Sequence, residues 1–313
     1  MRKLGKPERA LEAFLDGAVQ HPDSAELQIE VGRSYEDLEK SESAAQHYEA
    51  ALRLKPDLAP AHVALGLIHA ESGRLEEAAT HLSSAISLDE KSIAAHHSLG
   101  IVRERQGDFE AAFSEYARAR DLDPNEAKAR IGLGSIFDRL GKPVEALKEL
   151  EEAVRLSPKS IQARYKLATL CFRQGRSDEG DLHLAQMRSL KAQDHSQRAD
   201  RKLREKDLDG ALREFTRALD AEPNHLEAHA KLGALYLRQG DAAKAVEHAR
   251  RAAELEPKPN RFANLSWALS ADGKRDEALE WIDKAIASEP GKSQFEAQRK
   301  AILEATPPKP ANP

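Results

Sequence analysis

The sequence predicts an all-α fold, an α-solenoid of stacked helix pairs, and three observations carry that expectation. A period of 34 residues runs through most of the 313-residue chain, and each unit closes on the same phrase, as in "EAALRLKP", "RARDLDP", "RALDAEP" and "KAIASEP". The closing prolines are Pro22, Pro56, Pro124, Pro158, Pro223, Pro257 and Pro290. Within each half-unit the apolar residues follow three- and four-residue steps without two-residue alternation, which is helical spacing. Small residues also return at fixed places. A chain built from one short repeated unit is a stack with an extended surface, not a globule around one pocket.

Numbering each unit from its first residue, with Ala25 as slot 1 of the first full repeat, exposes the pattern. Slot 8 reads Gly32, Gly66, Gly100, Gly134, Ala168, Ala199, Gly233 and Ser266. Slot 20 is alanine in every repeat but one, where it is Gly180, and slot 27 is alanine in all but the repeat carrying Met187. Small side chains at these places let two helices approach closely. Large apolar residues face them: Leu65, Leu99, Leu133, Leu167, Leu232 and Leu265 at slot 7, and Tyr48, Leu82, Tyr116, Leu150, Leu184, Phe215 and Ile282 at slot 24. Between the halves stands a helix stop such as "SGRL", "QGDF" or "LGKP", where glycine accepts the left-handed conformation. The closing proline then ends the second helix.

The ends and one interior stretch depart from this rule. Residues 1–24 hold only a second helix, Pro7 to Gln20, read either as a cap or as the remnant of a repeat that begins further upstream. Its apolar face, with Leu11 and Phe14, would otherwise lack part of its cover, which favours the longer chain. Repeats one to five fill 25–190 and repeats six to eight fill 191–291, followed by a charged helix over 292–304 expected to cap the last face and a proline-rich tail, 305–313, expected to be disordered. Between Pro158 and Pro223 there are 65 residues where two periods need 68, and Asp181 to Asp209 contains neither glycine nor proline. The first helix of the sixth repeat has few apolar residues beyond Ala199 and Leu203. Either a continuous helix or a poorly buried one results, and limited proteolysis is expected to begin between Met187 and Lys206.

This constellation resembles the tetratricopeptide repeat family, over residues 5 to 290 and eight repeats in register. The resemblance implies antiparallel helix pairs in a right-handed superhelix, with the first helices lining a concave groove through slots 2, 5, 9, 12 and 13. Two specialised subtypes of the family do not fit. Members that clamp a C-terminal carboxylate carry lysine at slot 5 and asparagine at slot 9. Here slot 5 holds Ile29, Val63, His97, Ile131 and Tyr165, and slot 9 has no asparagine. The asparagine ladder of sugar-transferase repeats at slot 6 is represented by Asn264 alone.

Composition excludes several function classes. Aromatic residues are 5% of the chain, as thin alanine- and leucine-filled interfaces require, and the net charge of −5 gives no bias toward polyanions such as nucleic acid. The charge is uneven: residues 1–150 carry 19 basic against 27 acidic side chains, and the remainder 29 against 26. A single cysteine, Cys171, permits neither an internal disulfide nor a four-ligand zinc site, and its slot is a packing slot. Four of the twelve histidines, His62, His96, His195 and His229, share slot 4, so their recurrence belongs to the repeat and not to a metal. No apolar run is long enough to span a membrane, and the basic start lacks the apolar stretch of a signal peptide. "GLG" at Gly132–Gly134 lies inside a helix, and the Asn264-Leu265-Ser266 sequon sits mid-helix. No catalytic residue, metal or cofactor is implied.

The candidate binding residues lie along the groove that the resemblance implies. Slot 13 holds Arg105, Arg139, Arg173, Arg204 and Arg238 in succession, a row suited to carboxylates or phosphates, although a basic residue also favours any helix C-terminus. Slot 12 changes from Glu36, Ala70, Glu104 and Asp138 to Phe172, Leu203 and Leu237, and slot 9 of the last repeat is Trp267. These residues suggest a groove acidic toward the N-terminus and apolar and arginine-lined toward the C-terminus. The function expected is a non-catalytic scaffold that binds a protein or peptide segment, acidic with apolar anchors, in that groove. Two alternatives are a repeat region of a larger enzyme whose catalytic domain lies outside this chain, and a self-assembling structural protein. Location is cytoplasmic by default, or extracytoplasmic if an upstream signal or anchor exists.

Overall fold

The structure is a computed structural model that describes residues 7–304, so the proline-rich tail lies outside it. Those residues form 17 α-helices and no strand. They divide into two compact units, one up to Asp181 and one from Leu182. The first unit holds α1 (Pro7–Gln20), the pairs α2 (Ala25–Glu36) and α3 (Ser41–Leu54), α4 (Ala59–Glu71) and α5 (Leu75–Leu88), α6 (Ile93–Gln106) and α7 (Phe109–Leu122), α8 (Ala127–Arg139) and α9 (Pro143–Leu156), then α10 (Ile161–Arg173) and the start of α11 (Ser177–Arg204). The second holds the rest of α11, α12 (Leu208–Ala221), the pairs α13 (Leu226–Gln239) and α14 (Ala242–Leu255), α15 (Pro259–Ala271) and α16 (Arg275–Ser288), and α17 (Ser293–Glu304). Each is a solenoid segment in which a helix packs on its sequence neighbours and, more lightly, on the equivalent helix of the next pair.

Local chemistry explains where the helices start and stop. Ser24, Ser92 and Ser160 each accept the backbone N–H three residues on, and Asp108, Asp207 and Asp241 do the same from the second-helix caps. Gly73, Gly107, Gly141, Gly175, Gly240 and Gly273 end first helices in the left-handed region. Two repeats lack that glycine, and there Glu39 and Lys206 adopt φ of 57° and 63°. A side chain in this region costs about 1–2 kcal/mol, part of which glycine's greater entropy loss offsets. Lys206→Gly should therefore raise stability by about 0.5–1 kcal/mol in chemical denaturation.

The small slots act through the large ones. Tyr116 lies between Gly100 of its own repeat and Gly132 of the next, and a Cβ on either glycine would meet its ring at 2.6–2.7 Å. Leu82 sits on Gly66 and Leu150 on Gly134 in the same way. In the last repeat slot 8 is Ser266, whose buried hydroxyl donates to Ala278 O at 2.7 Å and so joins the two helices directly.

The irregular stretch is one helix, α11, 28 residues long. Elsewhere three or four residues separate a second helix from the next first helix, four between Leu54 and Ala59 and three between Leu255 and Pro259. The three residues missing here are nearly that whole connection, and with no glycine or proline to stop it the helix runs on. Its buried residues include Ala192, Ser196 and Ala199. At the chain's described ends, α1 buries Leu11 and Ala18 with Val31 of α2, and α17 buries Phe295, Gln298 and Ile302 against α15 and α16. Gln298 donates to Ala263 O at 2.8 Å.

Candidate partner-binding surface

The three slot-13 arginines of the first unit reach back by one repeat. Arg105 donates to Ala70 O, Arg139 approaches Glu104 at 3.5 Å, and Arg173 pairs with Asp138. Each partner occupies slot 12 of the preceding repeat. Arg139 also lies over the Phe109 ring, 5.4 Å from its centroid. The Arg139 and Arg173 side chains remain about half exposed, so each ion pair contributes at most about 1 kcal/mol. Glu104 is engaged a second time from within its own repeat, because Tyr116 donates to it at 3.0 Å, and Tyr48 makes the same contact with Glu36 at 2.5 Å. Burial and the neighbouring Glu104 hold the Tyr116 hydroxyl far above the usual phenol range, so it stays a donor. The first unit's arginine wall is thus cross-linked to its acidic wall.

The second unit differs. Arg204 and Arg238 are exposed and have no carboxylate partner among the described residues. For Arg238 the reason is visible in the sequence: slot 12 one repeat earlier is Leu203, which packs half-buried beside the Phe215 core. Leu237 is also half-buried, against the cluster of α14, α15 and α16. Trp267 is 44% exposed and Phe172 38% exposed, the latter with its ring against Gly180, where a Cβ would meet it at 2.7 Å. Of the sequence-predicted residues, Leu237 and Trp267 come together at one cleft, and Arg139 and Arg173 at another with Tyr165 and Lys166. Leu67 and Ile101, 39% and 37% exposed at slot 9, were not among the predicted residues, although their bulk at that slot was readable.

Slot 4 stitches each pair together instead of presenting ligands. It reaches slot 23 of the second helix, 19 residues on: His47 Nδ1 donates to Gln28 at 2.8 Å, His96 to Glu115 at 2.6 Å, Arg130 to Glu149 at 2.9 Å and His195 to Glu214 at 2.8 Å. It also reaches back six residues to the turn, as His62 and His229 Nε2 do in donating to Pro56 O and Pro223 O at 3.1 and 2.9 Å. In two repeats both slots are histidine, with Nδ1 to Nδ1 distances of 3.0 Å for His62–His81 and 3.1 Å for His229–His248. Such a contact holds one proton between two nitrogens and cannot hold two.

Burial and then the facing histidines lower the pKa of His81 and His248 below the ordinary imidazole value of 6.5. His81 faces His62 and His69 of α4 and Glu49 of α3, with Glu77 on its own helix; His248 faces His229 and stacks on Tyr236, with Lys244 and Glu247 beside it. A histidine whose folded pKa is depressed contributes stability above its unfolded pKa and loses it as pH falls through the folded one. The melting temperature should therefore fall between about pH 7 and pH 5, and His81→Glu with His248→Glu, which copies the His–Glu pairs, should flatten that fall.

No group of three or more His, Cys, Asp or Glu is placed to hold a metal ion among the described residues, and none of their helices is long and apolar enough to cross a membrane. Cys171 is buried, and burial raises its thiol pKa, the opposite of an activated nucleophile.

Sequence models of the tetratricopeptide repeat match residues 2–59, 29–93, 97–161, 139–199 and 202–266. No curated protein matches the chain. Among solved structures, a tetratricopeptide repeat protein from Parabacteroides merdae ATCC 43184 is 20% identical, with 89% of this chain and 98% of that one covered and a TM-score of 0.44. MamA from Desulfovibrio magneticus RS-1 is 18% identical over 53% of this chain and 94% of that one, with a TM-score of 0.48. YrrB, described as a TPR protein with an unusual peptide-binding site, is 18% identical over 82% and 99%, with a TM-score of 0.39. At these identities and scores the likeness says nothing about what this chain binds.

Proposed function

Because the chain belongs to the tetratricopeptide repeat family, we propose that it is a non-catalytic scaffold whose second unit grips an acidic protein or peptide segment. One observation carries this reading: the slot-13 arginines of the first unit are spent on internal partners, whereas Arg204 and Arg238 of the second unit are exposed and have no carboxylate partner among the described residues. An unpaired guanidinium offers a carboxylate two parallel hydrogen bonds, and the exposed indole of Trp267 in the same unit supplies apolar contact area. Arg105, Arg139 and Arg173 then serve as braces between repeats. Trp267, Leu237 and Leu203 supply the apolar side of the grip, and Phe172, exposed in the first unit, is not part of it.

The test is a peptide-library selection on the intact chain, with the Arg204→Ala/Arg238→Ala double variant as counter-target. Sequences enriched on the wild type should carry aspartate or glutamate together with one or two large apolar residues, and should not be retained by the variant. Enrichment of basic or charge-free sequences, or equal retention by both, rejects the reading.

A further inference from the structure

The seventh repeat breaks the packing rule that the other repeats keep. In repeats one to six and in repeat eight, slot 24 is Tyr, Leu, Phe or Ile. In the seventh, slot 24 is Ala249 while slot 8 remains Gly233. A Cβ placed on Gly233 meets only backbone, Ala249 N at 3.2 Å and Ala249 Cα at 3.5 Å, where the equivalent glycines meet a tyrosine or leucine side chain below 3 Å. The place of one large side chain has been left open. A cavity of about 100 Å³ stands there, walled by Gly233, Ala234 and Leu237 of α13, by Ala249 of α14 and by Trp267 of α15.

We propose that this hole receives a leucine-sized aliphatic side chain from the partner segment, in the position that slot 24 fills in the other repeats. The proposal rests on the groove reading above and names the partner's anchor. Size argues for it, since dry apolar holes of roughly 150 Å³ take up benzene and a hole somewhat smaller suits a branched aliphatic chain better than an indole. The lining argues for it too: apart from Arg261 and Asn264 the walls are aliphatic and aromatic carbon, which gains contact from an apolar occupant. Asn264, also in the lining, is an amide within reach of the partner's backbone in this arrangement. Charge argues for the rest of the segment: the arginine that lines the hole, Arg261, is held by Glu256 at 3.3 Å, whereas Arg238, the residue after Leu237 and outside the lining, is exposed and has no carboxylate of its own among the described residues. The anchor therefore sits within a few residues of an aspartate or glutamate.

Two probes and one restored residue test this. N-acetyl-leucinamide and N-acetyl-alaninamide are titrated into the labelled protein, with the indole N–H resonances of Trp267 and Trp281 followed by NMR. The leucine amide should move Trp267 and leave Trp281 still, and the alanine amide should move neither. Ala249→Leu restores the slot-24 side chain over Gly233, so it should raise the melting temperature and abolish the shift; Ala249→Val, a smaller filler, should give an intermediate result. Equal shifts from both amides, or a leucinamide response that survives in Ala249→Leu, overturns the proposal. So does a Trp267 resonance that moves with protein concentration alone, since a second copy of the chain would then be the occupant. The two readings fail separately. A library peptide bound equally by wild type and Ala249→Leu rejects the hole and leaves the groove, while failure of the library on the wild type rejects the groove and leaves the leucinamide titration to decide the hole.

Discussion

Leu133→Asp is expected to cost about 4 kcal/mol or more and to unfold the middle of the first unit. Leu133 has no exposed surface and is packed with Ala112, Tyr116 and Ile136, with Phe109, Phe113 and Phe137 around them. Truncating such a leucine alone costs about 2–5 kcal/mol, and the aspartate adds a carboxylate with no polar partner in that cluster. Because each repeat is supported chiefly by its neighbours, the loss should appear as an early transition in urea, not as uniform weakening. Circular dichroism across a denaturant series reads this directly. A single wild-type-like transition would mean that slot 7 is not the core of the stack.

The second large effect concerns binding. Arg204→Ala with Arg238→Ala should weaken an acidic peptide selected on the wild type by about tenfold or more, since a charge-assisted contact contributes about 1.5–3 kcal/mol where it is shielded. Helical signal and melting temperature should be unchanged, because neither side chain holds anything among the described residues. Arg139→Ala and Arg173→Ala should behave oppositely, with a small loss of stability and no loss of affinity, as the breaking of half-exposed pairs to Glu104 and Asp138 implies. Raising salt from about 0.05 to about 0.5 M should weaken the wild-type complex more than that of the double variant. Fluorescence anisotropy with a labelled peptide separates these outcomes.

The fold was legible because the repeat states it eight times over, and slots 7, 8, 20, 24 and 27 occupy the contacts their residue types suggest. The arginine row was legible as a row but not as two kinds of arginine. Pairing depends on slot 12 one repeat earlier, so Arg139 and Arg173 follow Glu104 and Asp138, whereas Arg238 follows Leu203. That signal lies 35 residues away and appears only when adjacent repeats are compared. The seventh-repeat hole is the same kind of signal, a missing side chain at Ala249 that draws no notice as one more alanine among many. The recurrent slot-4 histidines were recognisable as part of the pattern, and the structure supplies their partners at slot 23. The missing three residues before the sixth repeat left a continuous and a merely exposed helix equally open, since neither reading needs an apolar residue the other lacks.

Hydrogen–deuterium exchange of the intact chain, with and without the peptide selected on it, tests the central claim most directly. Exchange should slow in α13 and α15, around Leu237 and Trp267, with α4, α6 and α8 of the first unit unchanged. Protection confined to the first unit, or to the second helices α12, α14 and α16, would contradict it.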